Sequence, residues 1–431
     1  MSAIDQTPAI ENLESPRILA ISRRSVVTLS AAQMFGGIAV AGSFPAGALL
    51  AVSLTDSEAF AGLVQTAGVL GAAIFALPLA RIALTKGRRP ALASGYGMGI
   101  IGAILVILGA VTSLIAVVLV GSLFVGVASA ASLQARYAAT DLATPQNRAR
   151  SLSYVVWAAT IGAVLGPNLL NFSGSVGLRL GLPELSGPYV VSGLALTCAV
   201  IVLMVALRPD PFVLATKLRQ DLDPGTKIAH PKLRDGIEHL RTRPRAVLGI
   251  GAISIGHLVM VMVMVMTPVH MAHVDVTLQL IGLVISVHVV GMYAFSPLVG
   301  MAVDRFGRVP MIVVGVVTLS ISCVVSGLAA ANNVFVLGIG LFLLGLGWSF
   351  TLIAGSTLVT DSVESNERPA VQGLSDLSMN TAGAVGGIAA GFIMWLGGYG
   401  WLCALAILPL IGLALWVSLP ACRKPSNARS I

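Results

Sequence analysis

The sequence predicts an all-α membrane protein of twelve transmembrane helices, arranged as two pseudo-symmetric six-helix bundles. Composition, the length of the apolar runs and an internal repeat predict it. Of 431 residues, 56% are hydrophobic and 10% are charged, whereas soluble chains carry about a quarter charged residues. The apolar runs repeatedly reach about 20 residues, enough to cross about 30 Å of hydrocarbon as helices. The alternation of apolar and polar residues that a membrane β-barrel needs does not recur. The second half restates the first at a spacing of 220 residues: Thr140, Asp141 and Arg148 return as Thr360, Asp361 and Arg368, and TKGRR around Gly87 returns as DRFGR around Gly307. TIGAV from Thr160 returns as TAGAV from Thr381. Such self-similarity marks two structural repeats of parallel topology.

The elements follow in order. A polar tail, 1–26, lacks the short apolar core and cleavage site of a signal peptide. Helix 1 is expected from Val27 to Val52, broken by Gly42 and Pro45, and helix 2 returns from Phe60 to Leu84. The basic turn TKGRRP leads into helix 3, whose Gly95, Gly97, Gly99 and Gly102 permit close helix approach. Helix 4 ends with Arg136 and Asp141 near the inner face, where the gate is expected, and helix 5 spans Ala149 to Phe172. Helix 6 closes the first bundle, 27–207. The stretch 208–245 is a basic linker with nine Lys or Arg against five Asp or Glu, and its PKLRDGIEHLRTRPRAV segment predicts a basic helix on the inner membrane surface. The second bundle, 246–419, and a tail, 420–431, complete the chain.

Charge sets the orientation. The net charge of +8 resides in membrane-proximal loops, which argues against nucleic acid as a partner. Arg23, Arg24, Lys86, Arg88, Arg89, Arg148, Arg150, Arg305, Arg308, Arg368, Arg423 and Lys424 fall on one side, and Arg179 is the basic loop residue on the other. The positive-inside rule predicts a multi-pass protein of the plasma (inner) membrane with both termini cytoplasmic. Cys198, Cys323, Cys403 and Cys422 are scattered, suggesting neither a disulfide framework nor a zinc site. A phosphate-binding glycine loop, a nucleophile constellation and a redox motif are all missing, so neither an enzyme nor an ATP-driven pump is expected. The expectation is a monomer in the lipid bilayer that carries no cofactor.

The turn around Gly307 reads GMAVDRFGR, supplying Gly300, Asp304, Arg305, Gly307 and Arg308. In this the chain resembles the major facilitator superfamily, whose loop signature is GxxxDRxGR, and the resemblance extends from helix 1 to helix 12. It implies a secondary transporter that rocks two bundles about a midplane site. It also implies that the loop acts as a charge-assisted hydrogen-bond latch, made in one state and broken in the other. The blander reading is that these charges only set topology. The first-half copy keeps Gly87, Arg88 and Arg89, with Leu84 and Thr85 at the Asp and Arg positions. Helix 5 partly resembles the family's antiporter motif through Gly162, Gly166 and Pro167, with Leu170 and Asn171 in place of its final glycines. Close packing with a kink explains the same residues.

Helices 7 and 8 concentrate soft ligands. Seven of the fourteen Met residues lie between Met260 and Met301. Met260 with Met264, and His288 with Met292, are four residues apart and share a helix face. At about 1.5 Å per residue, both pairs are expected near the midplane. Thioether and imidazole together favour copper, although Met is also an ordinary gap-filler and the run MVMVMVM places sulfur on every face. Met262 and Met266 are the candidates for packing. The pattern MxxxM followed by HxxxM resembles the CcoA-like copper importers, a branch of the same superfamily. This implies copper ligation by Met260, Met264, His288 and Met292, in a branch whose look-alike members move riboflavin. Copper import is thus the leading expectation, followed by import of a riboflavin-type vitamin and by proton-coupled efflux of small organic molecules. His270, Met271, His273 and Asp275 form a possible outer vestibule or simply a polar turn. Asp376, beside Asn380 on helix 11, could carry a coupling proton or hold a neighbouring helix. His257 reads as a helix-contact residue.

Overall fold

In the computed structural model the described residues, 13–55, 58–222, 240–272, 276, 278–364 and 367–419, contain helices and no strand. The first half comprises α1 (Pro16–Thr55), α2 (Glu58–Lys86), α3 (Arg88–Thr112), α4 (Ile115–Ala138), α5 (Arg148–Asn168), α6 (Leu170–Arg179), α7 (Gly187–Ala206) and α8 (Pro211–Leu222). The second comprises α9 (Pro244–Ala272), α10 (Leu278–Tyr293), α11 (Ser296–Phe306), α12 (Arg308–Leu328), α13 (Val334–Ser362) and α14 (Arg368–Ser418).

Eleven stretches among the described residues are long and apolar enough to cross a membrane. The last of them, α14, is 51 residues long and turns at Gly398, whose φ of 76° is accessible to glycine at little cost. Its two arms therefore bring the crossings to twelve. The repeat is exact enough to reach the backbone: Gly87 (φ 99°, ψ 174°) and Gly307 (φ 96°, ψ 160°) make the same sharp turn before α3 and α12.

Three expectations need correction. Helix 1 starts at Pro16, so much of the expected tail is helical; Ile18 is buried against Leu142, Ala215 and Leu218, which rewards extending the helix. Helix α1 also runs through Gly42 and Pro45 without ending. The linker carries a helix ahead of the one expected, because α8 buries Phe212, Ala215 and Leu218 on one face. The predicted surface helix of the linker falls largely at 223–239, outside the described residues, and α9 begins at Pro244.

Within the first bundle α1 packs along α5 and α7, and α3 packs along α4 and α7. In the second, α9 packs along α13 and α14, and α12 packs along α13. The bundles meet chiefly where α2 crosses α14 and α5 crosses α11. Glycine makes the α1–α5 crossing possible: a Cβ at Gly162 would lie 2.5 Å from the Gly37 Cα, and one at Gly166 would lie 2.7 Å from the Gly42 N. Both obstacles are backbone, so whole helices would have to part. Gly162→Val is expected to abolish the monodisperse, folded peak in size-exclusion chromatography. Gly97→Ala, at a position with nothing within 4 Å, should leave that peak unchanged.

Candidate functional site

A cavity of about 360 Å³ lies between the bundles. Its first-half wall, from α1, α2, α4 and α5, is made mainly of small and aliphatic residues such as Gly37, Gly68, Ala72 and Ala159. The second-half wall is aromatic. Trp348 Nε1 donates to His257 Nδ1 at 3.0 Å, so the proton of the neutral imidazole sits on Nε2. The Tyr293 ring meets Trp348 edge-on at 5.7 Å and 81°. Gln33 and Asn380 add amides, and Arg136 is the charged residue among those lining the cavity.

Polar contacts between the bundles gather on the side that carries the linker. One seam runs along α14. There Arg88 donates to both Asp141 carboxylate oxygens at 2.8 and 3.1 Å and, across the interface, to Gln372 Oε1 at 2.5 Å. Tyr137 donates to Ser375 Oγ at 3.1 Å, and Arg136 donates to Asp376 Oδ1 at 2.7 Å. Gln372 and Asp376 are one helical turn apart and so present a single docking face.

The second seam joins α5 to the GMAVDRFGR turn. Asp304 accepts from the backbone amides of Ala149 at 3.1 Å and Arg150 at 2.9 Å, capping the first turn of α5 where a carboxylate is favoured. Asp361 accepts from Arg308 at 2.8 Å and from Arg148 at 2.5 Å, while Arg308 also reaches the Pro145 carbonyl. A Cβ at Gly300 would lie 2.6 Å from the Ser153 Cβ, so that glycine lets α11 close on α5. The linker side is therefore shut.

Of the residues expected at the gate, Gly87, Arg88, Gly300, Asp304, Gly307 and Arg308 take part in these turns and contacts. Arg305 is exposed, with its guanidinium 5.4 Å from the Phe306 ring centroid. Arg89 contributes a backbone amide, which donates to Asp210 Oδ2 at 2.7 Å. Its neighbour Arg88 is 1% exposed and bridges the halves, so the degenerate turn still makes a contact between the bundles. Asp141 lies in the first seam, where it accepts from Arg88. Arg136 instead reaches the cavity, and Asp376 is not an isolated carboxylate but its partner across the bundles.

The soft-ligand set is divided. Chain order suggests that α9 and α10 face each other, yet they barely touch, because each packs along α13. Met260 and Met262 are buried in the second-half core, and Met264 and Met266 pack against it. His288 is fully buried, with Nδ1 2.8 Å from the Leu341 carbonyl oxygen of α13, and Nε2 has no hydrogen-bond partner. Met292, one turn on, lines the cavity. In the expected vestibule, His270 stacks on Tyr399 at 4.3 Å and Met271 is buried. His273 and Asp275 lie outside the described residues.

Sequence reasoning missed the aromatic wall. The reading of His257 as a helix-contact residue holds, since Trp348 of α13 donates to it, but Trp348 and Tyr293 carry no spacing that links them to it or to the cavity. The available signal was the cost of placing their polar atoms within apolar helices.

The sequence matches the Major Facilitator Superfamily over residues 29–275 and 249–430. It is 37% identical over 398 residues to the uncharacterized MFS-type transporter YdeG of Bacillus subtilis, covering 91% of this chain and 92% of that protein. It is 28% identical over 398 residues to the riboflavin transporter RfnT of Brucella anthropi, covering 90% and 96%. Among solved structures, the human organic anion transporter MFSD10 superposes with a TM-score of 0.68 at 15% identity, covering 92% of this chain and 99% of that one. At that identity the last likeness concerns the fold.

Proposed function

The chain belongs to the major facilitator superfamily and is a transporter, not an enzyme; from that premise we propose that its substrate is a small planar organic solute of the riboflavin kind. The observation that carries this reading is the cavity, whose aromatic wall of Trp348, Tyr293 and His257 faces small residues across about 360 Å³. That volume lies in the range of small-molecule sites and is about tenfold a water's share of the liquid. A flat ring can lie against Trp348 and Tyr293, while His257 Nε2–H and the amides of Gln33 and Asn380 supply orientation. The likeness to a riboflavin transporter over most of both chains supports the same reading. The basic loops support an inner-membrane location with the linker side cytoplasmic. The shut side would then be the cytoplasmic one.

A second reading, copper as the transported substrate, is favoured by one observation: His288 keeps an unpartnered buried Nε2 one turn from Met292 at the cavity. Met260 and Met264 would have to move to complete that set.

Parallel uptake of labelled riboflavin and labelled copper by cells expressing the protein separates the two. The leading reading expects expression-dependent flavin accumulation that falls at least about tenfold in Trp348→Ala and His257→Ala, as the loss of an aromatic contact and a hydrogen bond would give. His288→Ala should leave it largely intact. Copper accumulation that requires His288 and Met292, with flavin unaffected by expression, would overturn it in favour of the metal.

A further inference from the structure

Arg136 holds more hydrogen-bonding capacity than the protein uses. It is 2% exposed, it lines the cavity, and one nitrogen, Nη2, serves Asp376. Among the described residues its Nε and Nη1 make no hydrogen bond, and neither does Asp376 Oδ2, while the guanidinium lies 4.7 Å from the Tyr137 ring centroid. An arginine–carboxylate pair commonly closes in a two-bond fork, yet here the pair meets through a single bond and leaves the remaining donors unsatisfied. Leaving buried charged donors unpaired is costly. Ser132, Leu133, Val156 and Met379, which line the same cavity, are neutral, so the Arg136 guanidinium is the cavity's charged group beside its aromatic wall.

We propose that Arg136 recognises an acidic group on the transported solute, in competition with Asp376. This rests on the aromatic-solute reading above and extends it from riboflavin, which has no carboxylate, to ring compounds that bear one. A planar anion offers two oxygens to the idle guanidinium edge while its ring lies toward Trp348. Asp376 is the built-in competitor, and it is also the α14 end of the seam that shuts the linker side. Occupancy of Arg136 by a solute therefore weakens one of the bonds that holds the bundles together.

Binding of 2-naphthoate and of its uncharged isostere 2-naphthamide to the purified full-length protein in lipid nanodiscs, measured by calorimetry, tests the proposal. The acid is expected to bind at least about tenfold tighter than the amide, the effect of a charge-assisted bidentate contact. In Arg136→Gln that preference should vanish while amide binding persists; Arg136→Lys, which keeps the charge if the Gln variant fails to fold, should retain part of it. Asp376→Asn, which removes the competitor's charge, should raise affinity for the acid several-fold and leave the amide unchanged. Equal affinity for acid and amide in the native protein, or a preference that survives in Arg136→Gln, overturns the acidic-group proposal while the aromatic cavity stands. Binding of neither compound overturns both readings.

Discussion

Arg88→Ala is expected to cost about 3–5 kcal/mol of stability, the usual penalty for removing one partner of a buried ion pair. The side chains of Arg88 and Asp141 are 1% and 2% exposed, so deletion of the guanidinium leaves a buried carboxylate without its hydrogen-bonded partner and also unpairs Gln372 Oε1. A thermal melt in mild detergent should show a large drop, and Arg88→Ala with Asp141→Ala should recover part of it by removing the orphaned charge. Arg308→Ala is expected to cost only about 1 kcal/mol. Asp361 keeps Arg148 as a partner and is 25% exposed, where water can replace the lost bond. A larger loss for Arg308→Ala than for Arg88→Ala would show that the burial of these pairs does not govern their worth.

That ordering runs against the motif. The turn with the full signature, GMAVDRFGR, supplies the more solvated ion pair, and the turn that keeps only Gly87, Arg88 and Arg89 supplies the more buried one. A motif records which side chains are present; burial depends on what covers them. Here the cover for Arg88 comes from Phe212 on α8, with the guanidinium 5.8 Å from the ring centroid, and from Gln372 on α14. Neither residue is a neighbour in sequence.

The same distinction separates what was legible in the sequence from what was not. Apolar run length and the 220-residue repeat carried the helix number and the two-bundle design, because a bilayer forces every span to satisfy its own backbone. Gly87 and Gly307 were legible as turns for the same reason a positive φ favours glycine. Helix neighbours were not legible. Met260, Met264, His288 and Met292 share the right spacing within α9 and α10, yet spacing says nothing of a third helix, and α13 is the one that lies against both. His257, Trp348 and Tyr293 come from three helices and meet only through that packing. Asp376 was visible as a costly intramembrane charge and Arg136 as a charge near the inner face, but their pairing depends on how the two bundles close.

As a transporter of this superfamily, the protein is expected to work by opening and closing the linker side around the cavity. The most direct measurement is solute transport by a variant whose native cysteines are replaced and whose Arg148 and Asp361 are both changed to Cys. These positions face each other across the bundles, joined by a 2.5 Å contact in the native protein, with Asp361 partly exposed, and shortening both side chains to Cys opens room for a short bifunctional thiol reagent. Cross-linking is expected to abolish transport, and cleavage of the link by reductant is expected to restore it. Transport that continues at the uncross-linked rate with the link intact would contradict alternating access through this gate.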